Sequence, residues 1–340
     1  MSDNRLNHNV FKHQVYLEKI IIFSFVLRVL KGNFMSSPLV SLCMPTNGII
    51  EWVFPALDSI YSQGVDNNLF EVVVTNNGSN EEFDSRMTAY AKLHSNLRYK
   101  KTDAYMFFNQ LEALKLAKGT YLKFVNHRSI FQVGALEKII SIISCNIESK
   151  PVIYFSNGTL KNNSYSLDSF DDFIAILGKY VSWTTGVGIW KEQYEKIPKD
   201  SHVDKISPHS CILFADRQNS KYLVENFVFA QDIVSDHSKK GNYDLFKAFA
   251  VEEPTIALNL LIDGDISYST FKKIKNDYGS MLSELYWTFI VRKKSCSYDL
   301  SNFDNAMGIF FNKYKIVFNA YMYGIVSILK GRFKKLLIGK

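Results

Sequence analysis

Between Pro38 and Ile143 the chain alternates short apolar runs with amphipathic stretches, and each apolar run breaks into small or polar residues before the next stretch begins. That order constrains the fold more than any other feature, because strands buried on both faces of a parallel sheet read as short, nearly continuous apolar runs. The runs are Val40 to Met44, bounded by Pro38 and Pro45; Phe70 to Thr75 (FEVVVT); Leu97 to Lys101; and Tyr121 to Val125. Between them, Glu51 to Gln63 sets Val53, Leu57 and Ile60 at helical spacing, with Pro55 in an early turn where its missing N–H costs little. Glu81 to Leu93 repeats that spacing through Phe83, Met87, Tyr90 and Ala91, and Met106 to Ala117 does so through Leu111, Leu114 and Leu116 before Gly119 stops it. Three strand-helix units imply right-handed crossovers, so the expected class is α/β: a Rossmann-like, mostly parallel sheet flanked by helices. No GxGxxG follows the first strand and no GxxxxGK[ST] occurs, which removes the main support for dinucleotide and P-loop readings.

Further on, a helix is expected over Ala135 to Ile143, a strand over Pro151 to Phe155, a polar loop, and a helix over Asp171 to Tyr180. Ser182 to Trp190 (SWTTGVGIW) alternates and predicts a strand whose glycines admit a ligand or another backbone. Ser207 to Ala215 reads as helix, Tyr222 to Ile233 as one or two strands, and everything from Tyr243 onward as helix. The expected organisation is an N-terminal extension with one apolar helix (1–34), an α/β domain (35–242) and a helical C-terminal region with a basic tail (243–340).

A length of 340 residues with 47% hydrophobic content can bury a sizeable core, which excludes a disordered chain. The net charge of +7 suits a nucleotide, a nucleic acid or an anionic membrane surface equally. Nucleic acid is disfavoured because the basic residues are dispersed and no recognition module is present. Cys43, Cys145, Cys211 and Cys296 lie far apart without metal-ligand spacing, so neither a disulfide framework nor a zinc site is indicated and a cytoplasmic home is the simplest expectation. Two apolar segments are too short to span a membrane: Leu17 to Leu30, interrupted by Lys19 and Arg28, and Ile316 to Leu329. The second precedes Lys330, Arg332, Lys334, Lys335 and Lys340, a pattern that predicts an amphipathic helix lying on an anionic leaflet, with a core-packing helix as the alternative.

In order and spacing, these motifs resemble the family 2 glycosyltransferases of the GT-A fold. Those enzymes open with a strand ending in PT(Y/F)N and a helix ending in SIxxQ, where this chain has PLVSLCMPTN and LDSIYSQ. Their second strand ends in DDGS, where VVVTNNGSN stands; Asn109 and AKGTY match the following helix, and KFVNHRSIFQVGALEKI occupies the place of the DxD strand and its PGAL-like helix start. The resemblance covers Pro38 to Ile143 well and the next hundred residues loosely. It implies transfer of a sugar from a nucleotide-sugar donor to a surface-polysaccharide acceptor of O-antigen or capsule type; the two apolar segments with basic residues add the expectation that this acceptor is carried on a polyprenyl diphosphate at the inner face of the cell membrane. It also implies donor contacts from Pro45, Thr46, Asn47, Asn76, Asn77, Ser79, Asn109, Asn126, His127 and Arg128.

The departures are as informative as the matches. Asn76 and Asn77 replace an acidic pair that holds the base in the family, though an amide still offers a donor and an acceptor to a uracil or cytosine edge or a ribose hydroxyl. Asn126, His127 and Arg128 replace DxD, so a divalent metal (Mn or Mg) is disfavoured: such cations want carboxylate oxygens, and an arginine repels them. The alternative is that Arg128, helped by His127, carries the charge that opposes the diphosphate, since guanidinium matches phosphate oxygens bidentately. The competing expectation is a catalytically inactive GT-A domain serving as a membrane-associated scaffold. For a base at the acceptor hydroxyl, the stretch with Asp200, His202, Asp204 and His209 supplies candidates, His209 first through its SPH resemblance to abequosyltransferase-like enzymes and Asp204 second. Trp183 and Thr185 are candidate acceptor contacts, Asp236 to Asn242 a candidate lid, and the pair Glu252 and Glu253 reads as a helix end.

Overall fold

A computed structural model describes residues 37–338, apart from 163, 199–202, 220, 234–237 and 239. The expected extension 1–34, the candidates Asp200 and His202, and much of the expected lid therefore lie outside the described residues. The expected α/β architecture is present: a five-stranded sheet in the order β3-β2-β1-β4-β8, where β1 is Val40–Thr46, β2 Phe70–Asn76, β3 Leu97–Lys101, β4 Tyr121–Phe124 and β8 Gly188–Trp190. β1 to β4 are parallel, and β8 closes the edge antiparallel to β4.

Alternation along β1 builds the two faces. Val40, Leu42 and Met44 pack with Val53 and Leu57 of the helix Ile50–Tyr61 and with Ile139 of the helix Ala135–Cys145. Cys43 faces the other way, into a core shared with Leu114 of the helix Asn109–Leu116 and with Phe246, Ile274 and Leu282 from the C-terminal helices. Each such fully buried aliphatic side chain contributes roughly 1.5–3 kcal/mol. β6 (Val152–Phe155), β9 (Tyr222–Glu225) and β7 (Ser164–Leu167) form a second sheet in the order β6-β9-β7, and β5 (Ser129–Phe131) pairs antiparallel with β10 (Ala230–Asp232).

Four local expectations change. The polar loop after β6 holds strand β7, and the stretch between β4 and the helix at Ala135 holds β5. Only Gly188–Trp190 of the expected strand 182–190 is extended; the rest is two 3-10 turns, Gly178–Ser182 and Thr184–Gly186. A Cβ on Gly186 would collide with the buried Tyr154 ring, so this glycine makes room for an aromatic side chain rather than for a ligand. Finally, the helix Lys313–Ile338 is anchored by buried Ile316 and Ala320, but from Tyr321 to Leu329 its large apolar residues are exposed on all sides, so this stretch is not amphipathic. No helix among the described residues is long and apolar enough to cross a membrane.

Candidate active site

Because β1, β2 and β4 run in parallel, their carboxyl ends deliver three polar loops to one edge of the sheet, where ligands bind in open α/β folds. The loops after β1 and β2 are locked together: the Asn77 N–H donates to the Thr46 carbonyl at 3.1 Å, and any Cβ on Gly78 would strike the Asn47 backbone. Asn109 fastens both strands from below. Its buried amide donates to the carbonyls of Thr46 (3.1 Å) and Thr75 (2.8 Å), and its Oδ1 accepts from Thr102 Oγ1 (2.9 Å).

Over this edge lies a cavity of about 580 Å³, a size suited to a small-molecule ligand. Pro45, Thr46 and Asn47 line it from β1, Asn77 from β2, and Asn126, His127 and Arg128 from β4; Asn109 forms part of its floor. Trp183, Thr185 and His209 close it from the opposite side. Three expected residues are not on its wall. Asn76 is fully buried and holds its own loop, donating to Asp84 Oδ1 at 2.6 Å and accepting from the Gly78 N–H at 2.8 Å. Ser79 is exposed beyond the loop. Asp204 accepts from the N–H groups of Ile206 (2.7 Å) and Ser207 (2.9 Å), bracing the entry to the helix Pro208–Phe214.

On the strand-end wall the partners define what each group can offer. Asn77 Nδ2 donates to the carbonyls of Ala104 and Met106, both at 2.9 Å. Two carbonyl partners fix the orientation of the amide, and the group left for a ligand is the acceptor Oδ1. His127 Nδ1 faces Thr46 Oγ1 at 2.7 Å, and the ring stands edge-on to Trp52 at 5.2 Å. Burial, with Arg128 adding to it, pushes His127 down to about 3, so the ring is neutral and does not help Arg128 with charge. Thr46 Oγ1 also accepts from the Gly48 N–H at 3.1 Å, so one hydroxyl ties the loop backbone to the His127 ring.

Arg128 owes its setting to the β5-β10 pair. The register places Ser129 opposite Asp232, and Arg128 Nε bonds Asp232 Oδ2 at 3.0 Å while Ser129 Oγ donates to Oδ1 at 2.7 Å. One edge of the guanidinium is thus oriented by a carboxylate and its other N–H groups remain on the wall. Lys240 lies close by, pushed down to about 8 by burial and by the Arg128 charge. Asp232, the carboxylate of this corner, is bonded to Arg128 and Ser129, the side chains beside it are cationic or neutral, and no group of three or more His, Cys, Asp and Glu suited to a metal occurs among the described residues.

The opposite wall is richer than the sequence indicated. His209 is buried and pushed down to about 4, with Nε2 donating to the Ser182 carbonyl at 2.8 Å and Nδ1 3.3 Å from Gln110 Oε1. Trp183 tilts against Phe229 with ring centres 6.3 Å apart. Thr185 is buried, and its hydroxyl has no partner among the described residues. Glu253, dismissed in the sequence as a helix end, stands on this wall with Ser207. Its signal was its neighbour Glu252 and Pro254; what sequence could not supply was the fold that turns it inward.

No protein-family model matches the sequence, and a comparison with curated proteins finds no match. Solved structures do match. Residues 1–349 of TarS from S. aureus, in complex with UDP-GlcNAc, align over 80% of this chain and 80% of that one, with a TM-score of 0.56 and 14% identity. The chain shares the fold of TarS. The complex of the same TarS fragment with UDP aligns over 73% of this chain and 72% of the other, with a TM-score of 0.51 and 15% identity. At such identity the likeness to TarS is one of fold, and side-chain roles must be argued from this cavity.

Proposed function

We propose that this chain is a GT-A glycosyltransferase that moves a sugar from a nucleoside diphosphate donor to a surface-polysaccharide acceptor without a divalent metal. The observation that carries the reading is the cavity, set at the strand ends of a TarS-like sheet, whose lining includes the Arg128 and Lys240 cations and the acceptor Oδ1 of Asn77. The cations suit a diphosphate and offset the charge that develops on it as the glycosyl bond breaks. Asn77 Oδ1 suits a base that presents a ring N–H, as uracil and guanine do; cytosine presents a lone pair there. A UDP-sugar is therefore the preferred donor over a CDP-sugar, with the TarS complexes as supporting analogy. The unpartnered Thr185 hydroxyl and the Trp183 ring would meet the sugar or the acceptor. Turnover of UDP-sugars measured in excess EDTA tests the reading: activity retained in EDTA supports it, whereas strict dependence on added Mn²⁺ contradicts it. The inactive-scaffold alternative requires that UDP-, CDP- and GDP-sugars all fail to bind.

The acceptor and location form a second part of the proposal. Exposed Phe318, Tyr321, Ile325, Val326, Ile328 and Leu329 precede a run of lysines and arginine in the sequence. Apolar side chains beside positive charge fit an anionic leaflet, which would bring the cavity to a polyprenyl-diphosphate-linked glycan at the inner membrane face. Co-flotation with anionic but not zwitterionic vesicles is expected; equal recovery with both, or with neither, contradicts it.

A further inference from the structure

We propose that Glu253 is the general base that takes the proton of the attacking hydroxyl. The inference rests on the transferase reading and adds to it the residue that activates the acceptor. Among the described residues, Glu253 is the one carboxylate on the cavity wall. The other acids nearby are committed elsewhere: Asp232 to Arg128, Asp204 to two backbone N–H groups, and Glu252 to Lys247 at 3.7 Å. His209, the sequence candidate, spends its Nε2 proton on a backbone carbonyl and turns its other nitrogen to Gln110.

The fold holds Glu253 deliberately. A π-helical turn, Ala248–Glu252, precedes it, and its own N–H bonds back five residues to the Ala248 carbonyl. Such a turn changes the face on which the following side chains emerge, and π turns recur at functional sites. Glu253 Oε1 accepts from Ser207 Oγ, and Oε2 accepts from Tyr278 OH at 3.0 Å, so both oxygens are oriented by neutral donors and no cation is paired with them. The charged and titratable groups around it are Asp204 and Glu252, which oppose its ionisation, and Tyr278, Tyr243 and Cys211, whose own ionisation its charge opposes. Burial, with those two carboxylates, holds Glu253 up to about 7 against the lowering effect of the Ser207 and Tyr278 hydrogen bonds. A carboxylate poised near neutrality is matched to proton abstraction.

The step balances as an in-line displacement. The acceptor O–H bond breaks and its proton passes to Glu253; the oxygen's electron pair forms the new bond to the anomeric carbon. The bond from that carbon to the diphosphate oxygen breaks, and its electrons leave with the nucleoside diphosphate beside Arg128 and Lys240. Glu253 returns its proton to solvent after product departs. Configuration at the anomeric carbon is inverted.

The test uses the full chain, UDP as binding probe, and a panel of UDP-sugars with water as acceptor. The wild-type chain should bind UDP and hydrolyse a UDP-sugar with inversion, at a rate that rises with pH through about 7. Glu253→Gln should keep the UDP affinity, lose roughly 10²–10⁴-fold in turnover and lose the pH rise. Tyr278→Phe removes one donor to the charged carboxylate and should move the midpoint of the rise upward, a change that a purely structural role would not produce. Retained turnover or a retained pH rise in Glu253→Gln, an unmoved midpoint in Tyr278→Phe, or a product of retained configuration overturns the assignment. Absence of UDP binding by the wild-type chain would instead overturn the donor reading, and the assignment of Glu253 with it; the calorimetric arm separates the two failures.

Discussion

The two walls of the cavity were built by different means. The strand-end wall, from Pro45 to Arg128, is made of loops that each follow their own strand directly, and it is neutral apart from Arg128. The opposite wall gathers Ser182 from a 3-10 turn, Ser207 and His209 from the helix Pro208–Phe214 and its cap, and Glu253 from a C-terminal helix, held by contacts such as Ser207 to Glu253, 46 positions apart in sequence. In the proposed reading the first wall meets the nucleotide and the second takes the proton. The difference teaches that the first wall is encoded locally, whereas the second exists only once the C-terminal helices have packed.

The variants below probe the strand-end wall, the strand behind it and a position off it, and with the Glu253 and Tyr278 variants they test whether the division is real. The largest effect is expected from Arg128→Ala, which should reduce turnover by about 10²–10³-fold, as loss of a single group opposing transition-state charge does. Arg128→Lys should recover part of that loss, because a point charge replaces a fork. Near-normal turnover in Arg128→Ala would strip the strand-end wall of its charge role. Next, Asn77→Leu should weaken UDP about 5–10-fold, the value of one hydrogen bond, with a smaller effect on CDP. Equal losses for both nucleotides would mean that Asn77 does not read the base.

Between the walls, Lys123 in β4 is fully buried, donating to the Thr185 carbonyl at 2.7 Å with its ammonium over Phe155 and Phe229. Burial pushes it down to about 7, well below its unfolded value of 10.5. Between those values the unfolded chain binds the extra proton, so the stability of the wild-type chain should rise with pH from about 7 towards 9, by up to about 1.4 kcal/mol per unit. Denaturant midpoints of Lys123→Met should lack that component of the slope; parallel curves for the two proteins would show that Lys123 keeps its proton in the folded chain over this pH range. The smallest effect is expected from Ser79→Ala, which should leave UDP affinity within about twofold, as for other exposed positions. A tenfold loss would return Ser79 to the site.

The β1-to-β4 core was legible because burial on both faces writes itself into apolar runs, and the loops after them followed with it. Asn76 and Asn77 show the limit: sequence placed both in the right loop, but only the partners Asp84, Ala104 and Met106 decide which amide is spent inside the loop and which lines the cavity. The stretch 182–190 misled because glycine and threonine alternation fits a strand, while Gly186 was in fact yielding space to Tyr154. Asp204 and Glu253 exchanged importance for the same reason. One lies beside backbone N–H groups and caps them, the other directly follows a π turn that shifts the helical register, and neither distinction has a local signature.

Calorimetric titration of UDP into the full chain, in excess EDTA and again with Mn²⁺, tests the central claim most directly. The account predicts saturable binding in EDTA with the same affinity as with Mn²⁺, weakened to the same extent by Arg128→Ala in both. Binding that appears only when Mn²⁺ is added would contradict it.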